Sequence, residues 1–147
     1  MFITDKDKMN TFNYELAEML SKNKKIISFD IYDTLVKRNV PNPRDVFELV
    51  EYKYKKMHGI DLKFKDIRIN AEREVRKENI GYEITFDAIY EHINLPNRND
   101  LKSIEIAIEE EICEPNYPVI KFFNQCISNG KRVIIITDMY FPCLLYT

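Results

Sequence analysis

The stretch Lys25-Ile-Ile-Ser-Phe-Asp-Ile-Tyr-Asp-Thr-Leu-Val-Lys-Arg38 decides the fold. Ile26, Ile27 and Phe29 form a short apolar run, bounded upstream by the polar segment Ser21-Lys-Asn-Lys-Lys25. A run of this length, with two β-branched residues, predicts a buried parallel strand. Asp30 and Asp33 follow where the strand gives way to solvent, at the carboxyl end, which is where open α/β sheets hold their ligands. A second stretch answers it: Lys131-Arg-Val-Ile-Ile-Ile-Thr-Asp-Met-Tyr140. Val133 to Ile136 is again apolar and β-branched, and Thr137 and Asp138 are the first polar residues beyond it. Two parallel strands with polar ends predict one shared edge on an α/β fold.

The segment between them reads as helical. Before the first strand, Phe12, Leu16, Met19 and Leu20 predict an amphipathic helix over Thr11 to Ser21. Asn42 and Pro43 suit a helix start and Gly59 its close, with Val46, Phe47, Val50, Tyr54 and Met57 on one face. A second helix is expected from about Lys65 to Asn79, with Ile67, Ala71 and Val75 inward. Thr85 caps a short one holding Phe86, Ile89, Tyr90 and Ile93. A fourth opens at Asn99 or Asp100, striped by Leu101, Ile104, Ile108 and Ile112. Glu114 to Pro118 predicts a turn, followed by a helix over Val119 to Asn129 with Ile120, Phe123 and Ile127 inward. Strand, helical excursion and parallel strand make an elaborated right-handed crossover.

Composition excludes several classes. With 45% hydrophobic and 12% aromatic residues, the chain of 147 residues has the means to build a core. The formal charge of -2 and the interleaving of Lys with Glu argue against a nucleic-acid surface. No apolar run approaches a membrane span, and no signal peptide is evident, so a cytoplasmic location is expected. Cys113, Cys126 and Cys143 are odd in number and widely spaced, which suits free thiols better than disulfides or zinc.

Asp30-Ile-Tyr-Asp-Thr-Leu35 resembles motif I of the haloacid dehalogenase (HAD) superfamily, Asp-x-Asp-Gly-Thr-Leu, and Ile134-Ile-Ile-Thr137 resembles its motif II. The pair is similar to a bacterial HAD-like branch with Phe-Asp-Ile-Phe-Asp-Thr-Leu and Ser-Asp-Met-Tyr, often associated with glycosyltransferases of surface-polysaccharide synthesis. The resemblance implies a Rossmann-like core with a helical cap inserted between the motifs. Residues 1–39 and 114–147 would be core, and residues 40–113 cap. It implies hydrolysis through an aspartyl intermediate, ancestrally of phosphate esters. Asp30 would be the nucleophile, Thr34 would brace the loop, and Thr137 with Asp138 would contact a small phosphorylated substrate. Mg²⁺ would sit on the Asp30 carboxylate, the Tyr32 backbone carbonyl and a later acidic residue.

Two departures qualify this. Tyr32 occupies the position of the family's general acid, and a phenol with a pKa of about 10 is a poor proton donor at neutral pH. Haloacid dehalogenases carry Tyr there, because halide leaves without a proton, so C–halogen hydrolysis is the alternative. Asp33 stands where the family has Gly; it either supplies the acid or caps the turn. Moreover, the sequence given stops ten residues after Thr137, so the resemblance leads to the expectation that the motif III lysine and the motif IV acidic pair are absent and the core incomplete. An inactive or partner-dependent fragment is expected, with strand surface from Ile26 to Phe29 and Val133 to Ile136 left for a partner or an oligomer to cover. A non-enzymatic binding module is the third reading. Lys37, Arg38, Arg68 and Arg73 are candidates to meet an anionic substrate; His58 and His92 have no partner at ligand spacing.

Overall fold

A computed structural model of the chain describes residues 12–137. Asp138 and Cys143, and the apolar segment after Pro142, lie outside the described residues. In chain order the elements are α1 (Tyr14–Ser21), β1 (Ile26–Phe29), β2 (Val36–Arg38) and a 3-10 turn (Pro43–Asp45). Then come α2 (Val46–His58), α3 (Phe64–Glu78), α4 (Phe86–Glu91), α5 (Arg98–Ile112), β3 (Cys113–Pro115), α6 (Tyr117–Ser128) and β4 (Arg132–Ile135). The fold is mixed α/β, and no helix among the described residues is long and apolar enough to cross a membrane.

The chain divides into two compact units. Among the described residues, one takes residues 12–37 together with Glu114–Thr137, and the other takes Arg38–Cys113. The chain passes from one to the other in β2 and β3, two short strands that pair as a ribbon where sequence periodicity predicted none. The flanking hydrogen bonds, Asn39 N–H to the Ile112 carbonyl and Asn116 N–H to the Leu35 carbonyl, run in antiparallel order. Backbone pairing alone makes this ribbon. Its residues carry no strand-like apolar alternation, so the sequence signal was absent.

In the first unit β1 and β4 pair in parallel, with Ile26 opposite Arg132 and Phe29 opposite Ile135. The ladder extends at both ends, from Arg132 N–H to the Lys25 carbonyl (2.8 Å) and from Ile136 N–H to the Phe29 carbonyl (2.9 Å). Lys131 fixes the register from the side, donating to the carbonyls of Ser21 and Lys24 at 2.8 Å each, just beyond the end of α1. One face of this two-stranded sheet is covered: Phe29 packs with Val119, Phe122 and Cys126, and Ile27, Val133, Phe12, Tyr14 and Ala17 close around them. Elsewhere Ile26, Ile135 and Ile136 are more than half exposed.

Two expected helix faces are corrected here. On α6 the core stripe is Val119, Phe122 and Cys126; of the expected residues Phe123 packs against this core, Ile120 is half-buried and Ile127 is exposed. Two adjacent apolar stripes satisfy the same 3.6-residue period, and the ring of Phe122 decides between them by docking on Phe29, Tyr14 and Phe12. On α1, Leu16, Met19 and Leu20 are exposed. Asn13 caps the helix, its Oδ1 accepting the Leu16 N–H, and the inward side is Tyr14 and Ala17.

The second unit is helical. Asn42 and Asp45 form a reciprocal capping box, the 3-10 turn runs into α2, and Gly59 closes α2 at φ 70°, a left-handed conformation that glycine adopts without strain. Thr85 caps α4 by accepting the Ala88 N–H. Val46, Val50, Tyr54, Phe64, Val75, Ile89, Ile93 and Leu101 are almost fully buried, each worth about 1.5–3 kcal/mol of transfer free energy for a Val- to Phe-sized chain. Arg68 and Glu105 lie among them with no solvent exposure. The guanidinium grips the carboxylate in a two-pronged contact (Nε to Oε2 3.0 Å, Nη2 to Oε1 3.1 Å), and Tyr90 donates its hydroxyl to the same Oε2.

Candidate functional site

The site is built in the first unit, at the carboxyl ends of β1 and β4. Asp30 is the first residue past β1, and Thr137 is the second past β4. Because Ile136 N–H rests on the Phe29 carbonyl, both residues leave the same end of one parallel ladder on neighbouring strands. Asp30 is exposed and Thr137 is half-buried. Asp30 Oδ1 accepts the N–H of Ile31 at 2.7 Å, which ties the carboxylate to the first turn beyond the strand.

The motif-like segment is a compact turn rather than a strand extension. The Ile31 carbonyl accepts the N–H groups of Leu35 (2.8 Å) and Val36 (3.0 Å), reversing the chain within five residues. Tyr32 is buried, 6% exposed, so its ring is packed into the unit. Asp33 sits at the apex with φ 57°, the one positive φ on a non-glycine residue among those described. Asp and Asn tolerate this left-handed conformation better than most residues, and glycine adopts it freely. Asp33 thus meets a backbone demand that glycine would also meet. That favours the turn role for Asp33 over the acid role.

Asn116 is the residue that sequence reasoning missed. It was read as part of a turn, yet it is buried and holds the Asp33 turn from behind. Its Nδ2 donates to the Thr34 carbonyl at 2.7 Å and its N–H donates to the Leu35 carbonyl at 2.8 Å. Its own carbonyl accepts the Val119 and Ile120 N–H groups at the start of α6. One residue therefore connects the Asp33 turn to the helix that begins beside it, 82 positions beyond Thr34. The available signal was an Asn two residues before Pro118, the usual arrangement at a helix start.

The expected cations are placed differently. Arg68 does not face an anionic ligand; it is buried against Glu105, and its guanidinium lies 4.9 Å from the Phe47 ring centroid. Arg38 donates to Glu109 at 2.9 Å, with its side chain only 7% exposed. Both charges are satisfied inside the helical unit, because a buried guanidinium without a carboxylate would be too costly. Arg73 is exposed beside Asn70 and Glu74. Lys37 alone of the four lies by the Asp33 turn. His58 stacks near Tyr54, and His92 bonds the Ala88 carbonyl and Glu78. Burial pushes the Cys126 thiol above its ordinary pKa, which makes it a poor nucleophile.

Mg²⁺ takes six near-octahedral oxygens and is usually held by one or two carboxylates plus water and substrate. Asp30 and the Tyr32 carbonyl are two donors, and no group of three or more His, Cys, Asp or Glu is gathered to hold a metal among the described residues. These residues by themselves do not make the ion's site, and no step below runs through it. The chain matches no protein-family model and no curated protein sequence.

Proposed function

We propose that residues 25–137 carry the nucleophile half of a HAD-type hydrolase site, acting on a small phosphorylated molecule in the cytoplasm. The observation that carries this reading is the register of β1 against β4, which sets Asp30 and Thr137 at one edge. Asp30, exposed and anchored through one oxygen, attacks phosphorus with the other; the phosphorus–oxygen ester bond breaks, and the leaving oxygen takes a proton from water. Water then opens the aspartyl phosphate. Thr137 donates its hydroxyl to a phosphoryl oxygen, and Thr34 and Asn116 keep the turn in shape. On this reading the helical unit, Arg38–Cys113, is the cap, and Mg²⁺ is the metal that the resemblance brings with it. A partner or second copy over the exposed sheet residues Ile26, Ile135 and Ile136 completes the reading.

The test is turnover of p-nitrophenyl phosphate by the full protein with and without Mg²⁺. Activity that disappears in Asp30→Asn, with the fold intact by circular dichroism, supports the reading. Equal rates in wild type and Asp30→Asn overturn it. Packed Tyr32 and the turn role of Asp33 leave no carboxylic acid to protonate a leaving group, which favours a second reading, attack of Asp30 on a carbon bearing halogen. Halide release without Mg²⁺ would single out that chemistry.

A further inference from the structure

A groove of about 340 Å³ opens beside the Asp33 turn, and neither Asp30 nor Thr137 lines it. Its lining includes Phe12, Phe29 and Phe122, with the ring centroids of Phe12 and Phe29 at 5.6 and 6.0 Å from that of Phe122. Pockets of this size with an aromatic floor and a few polar groups are the usual shape of a small-molecule site. Five polar side chains line the same groove, Ser28 and Thr34 among them, and the other three carry a charge or an amide. Lys37 is half-buried and Asp33 is exposed, and neither forms an ion pair or side-chain hydrogen bond with a described residue. Opposite charges four residues apart thus share one groove without closing on each other. The third is Asn116, 6% exposed; its Nδ2 is spent on the Thr34 carbonyl and its Oδ1 accepts no hydrogen bond from a described residue. Among the described residues only Gln125 Oε1 is sealed from solvent without a partner, so the Asn116 amide oxygen, like the Lys37 ammonium, is open to a polar group of a ligand.

We propose that this groove binds a small aromatic zwitterion of the α-amino-acid type. The ring lies on the phenylalanines, the carboxylate meets Lys37, and the ammonium donates to Asn116 Oδ1 and Asp33. Each ligand group meets a side chain of complementary chemistry in the groove. The inference does not depend on hydrolase activity. Because the Asp33 turn forms the groove's rim and carries the chain from Asp30, occupancy stiffens the segment next to the candidate nucleophile.

L-Phenylalanine titrated into the full protein, followed by amide NMR, tests this. The expected result is saturable shifts confined to Phe29, Asp33, Lys37 and Asn116, with a dissociation constant of about 1 mM, the range of a ligand this small. L-Alanine, which lacks the ring, should leave those amides unmoved. Lys37→Gln should weaken L-phenylalanine and 3-phenylpropionate about tenfold while leaving phenethylamine unchanged. Asp33→Asn, which keeps a residue tolerant of positive φ, should weaken phenethylamine and L-phenylalanine but not 3-phenylpropionate. Absence of localised shifts at a concentration about tenfold above 1 mM, shifts centred on another surface, or variants that bind all three compounds as wild type does would overturn the proposal.

Discussion

The helical unit and the strand unit solve the same burial problem with opposite completeness. In Arg38–Cys113 the apolar stripes of four helices close on one another so fully that an Arg–Glu pair is carried inside with no exposed area. In the strand unit the parallel pair β1 and β4 has one face covered by α1 and α6, while isoleucines elsewhere on the strands remain open. Parallel strands are normally covered on both faces. The difference teaches where each unit's sensitivity lies. Removal of a charge is worst in the closed unit, whereas the open one tolerates change on its bare isoleucines and is governed by the turn and register that place Asp30.

The largest expected effect breaks the closed unit. Arg68→Met leaves Glu105 buried without its counter-ion and should cost about 3–5 kcal/mol in urea unfolding. Burial already pushes the Glu105 carboxyl upward in pKa against the pull of Arg68, and Tyr90, with its own pKa raised chiefly by the same burial, stays a proton donor to it. The double variant Arg68→Met, Glu105→Leu should recover most of that loss, because a packed apolar pair avoids the desolvation. A double variant as unstable as the single one would contradict the pairing.

Next comes the turn. Asp33→Val places a β-branched residue at φ 57° and should cost about 1–2 kcal/mol, whereas Asp33→Gly should stay within about 1 kcal/mol of wild type by the same unfolding measurement. Similar losses for both would show that the aspartate contributes through its carboxylate rather than its backbone. Smaller still, Ile135→Thr on the open strand surface should change stability by no more than about 0.5 kcal/mol, while raising the concentration at which the protein aggregates. A core-sized loss would mean that this residue is covered.

The smallest effect is electrostatic. The Ala88 carbonyl first, and then Glu78, hold the exposed His92 imidazole above its ordinary pKa. Protonated His is thus favoured in the folded state, so this contribution is fully present below the ordinary value of about 6.5 and fades as pH rises through the higher folded value. Thermal midpoints should fall slightly across that window in wild type and not in His92→Gln.

Much of this was legible in the sequence because the signals are local. The apolar runs at Ile26–Phe29 and Val133–Ile136, the caps Asn42, Thr85 and Gly59, and the polar residues Asp30 and Thr137 at strand ends each follow from neighbouring residues. What escaped is non-local. Asn116 acts on a turn 82 positions away, and Arg68 meets Glu105 across 37. A trace of the second was present, since Arg68 falls on the Phe64, Ala71 and Val75 face and Glu105 beside Leu101, Ile104 and Ile108. Phe12 and Phe123 were placed inward and do pack on the core, while Leu16, Met19, Leu20 and Ile127 are exposed, because adjacent apolar stripes fit one period equally well.

Everything proposed for Asp30 and Thr137 depends on their leaving one end of a shared parallel ladder. Backbone NMR tests that directly, through cross-strand nuclear Overhauser contacts and amide exchange. The account predicts contacts from Phe29 and Asp30 to Ile136, in step with those from Ile27 to Val133, and a slowly exchanging Ile136 N–H held by the Phe29 carbonyl. Contacts in reversed order, or a freely exchanging Ile136 amide with no cross-strand contact to residues 26–30, would contradict it.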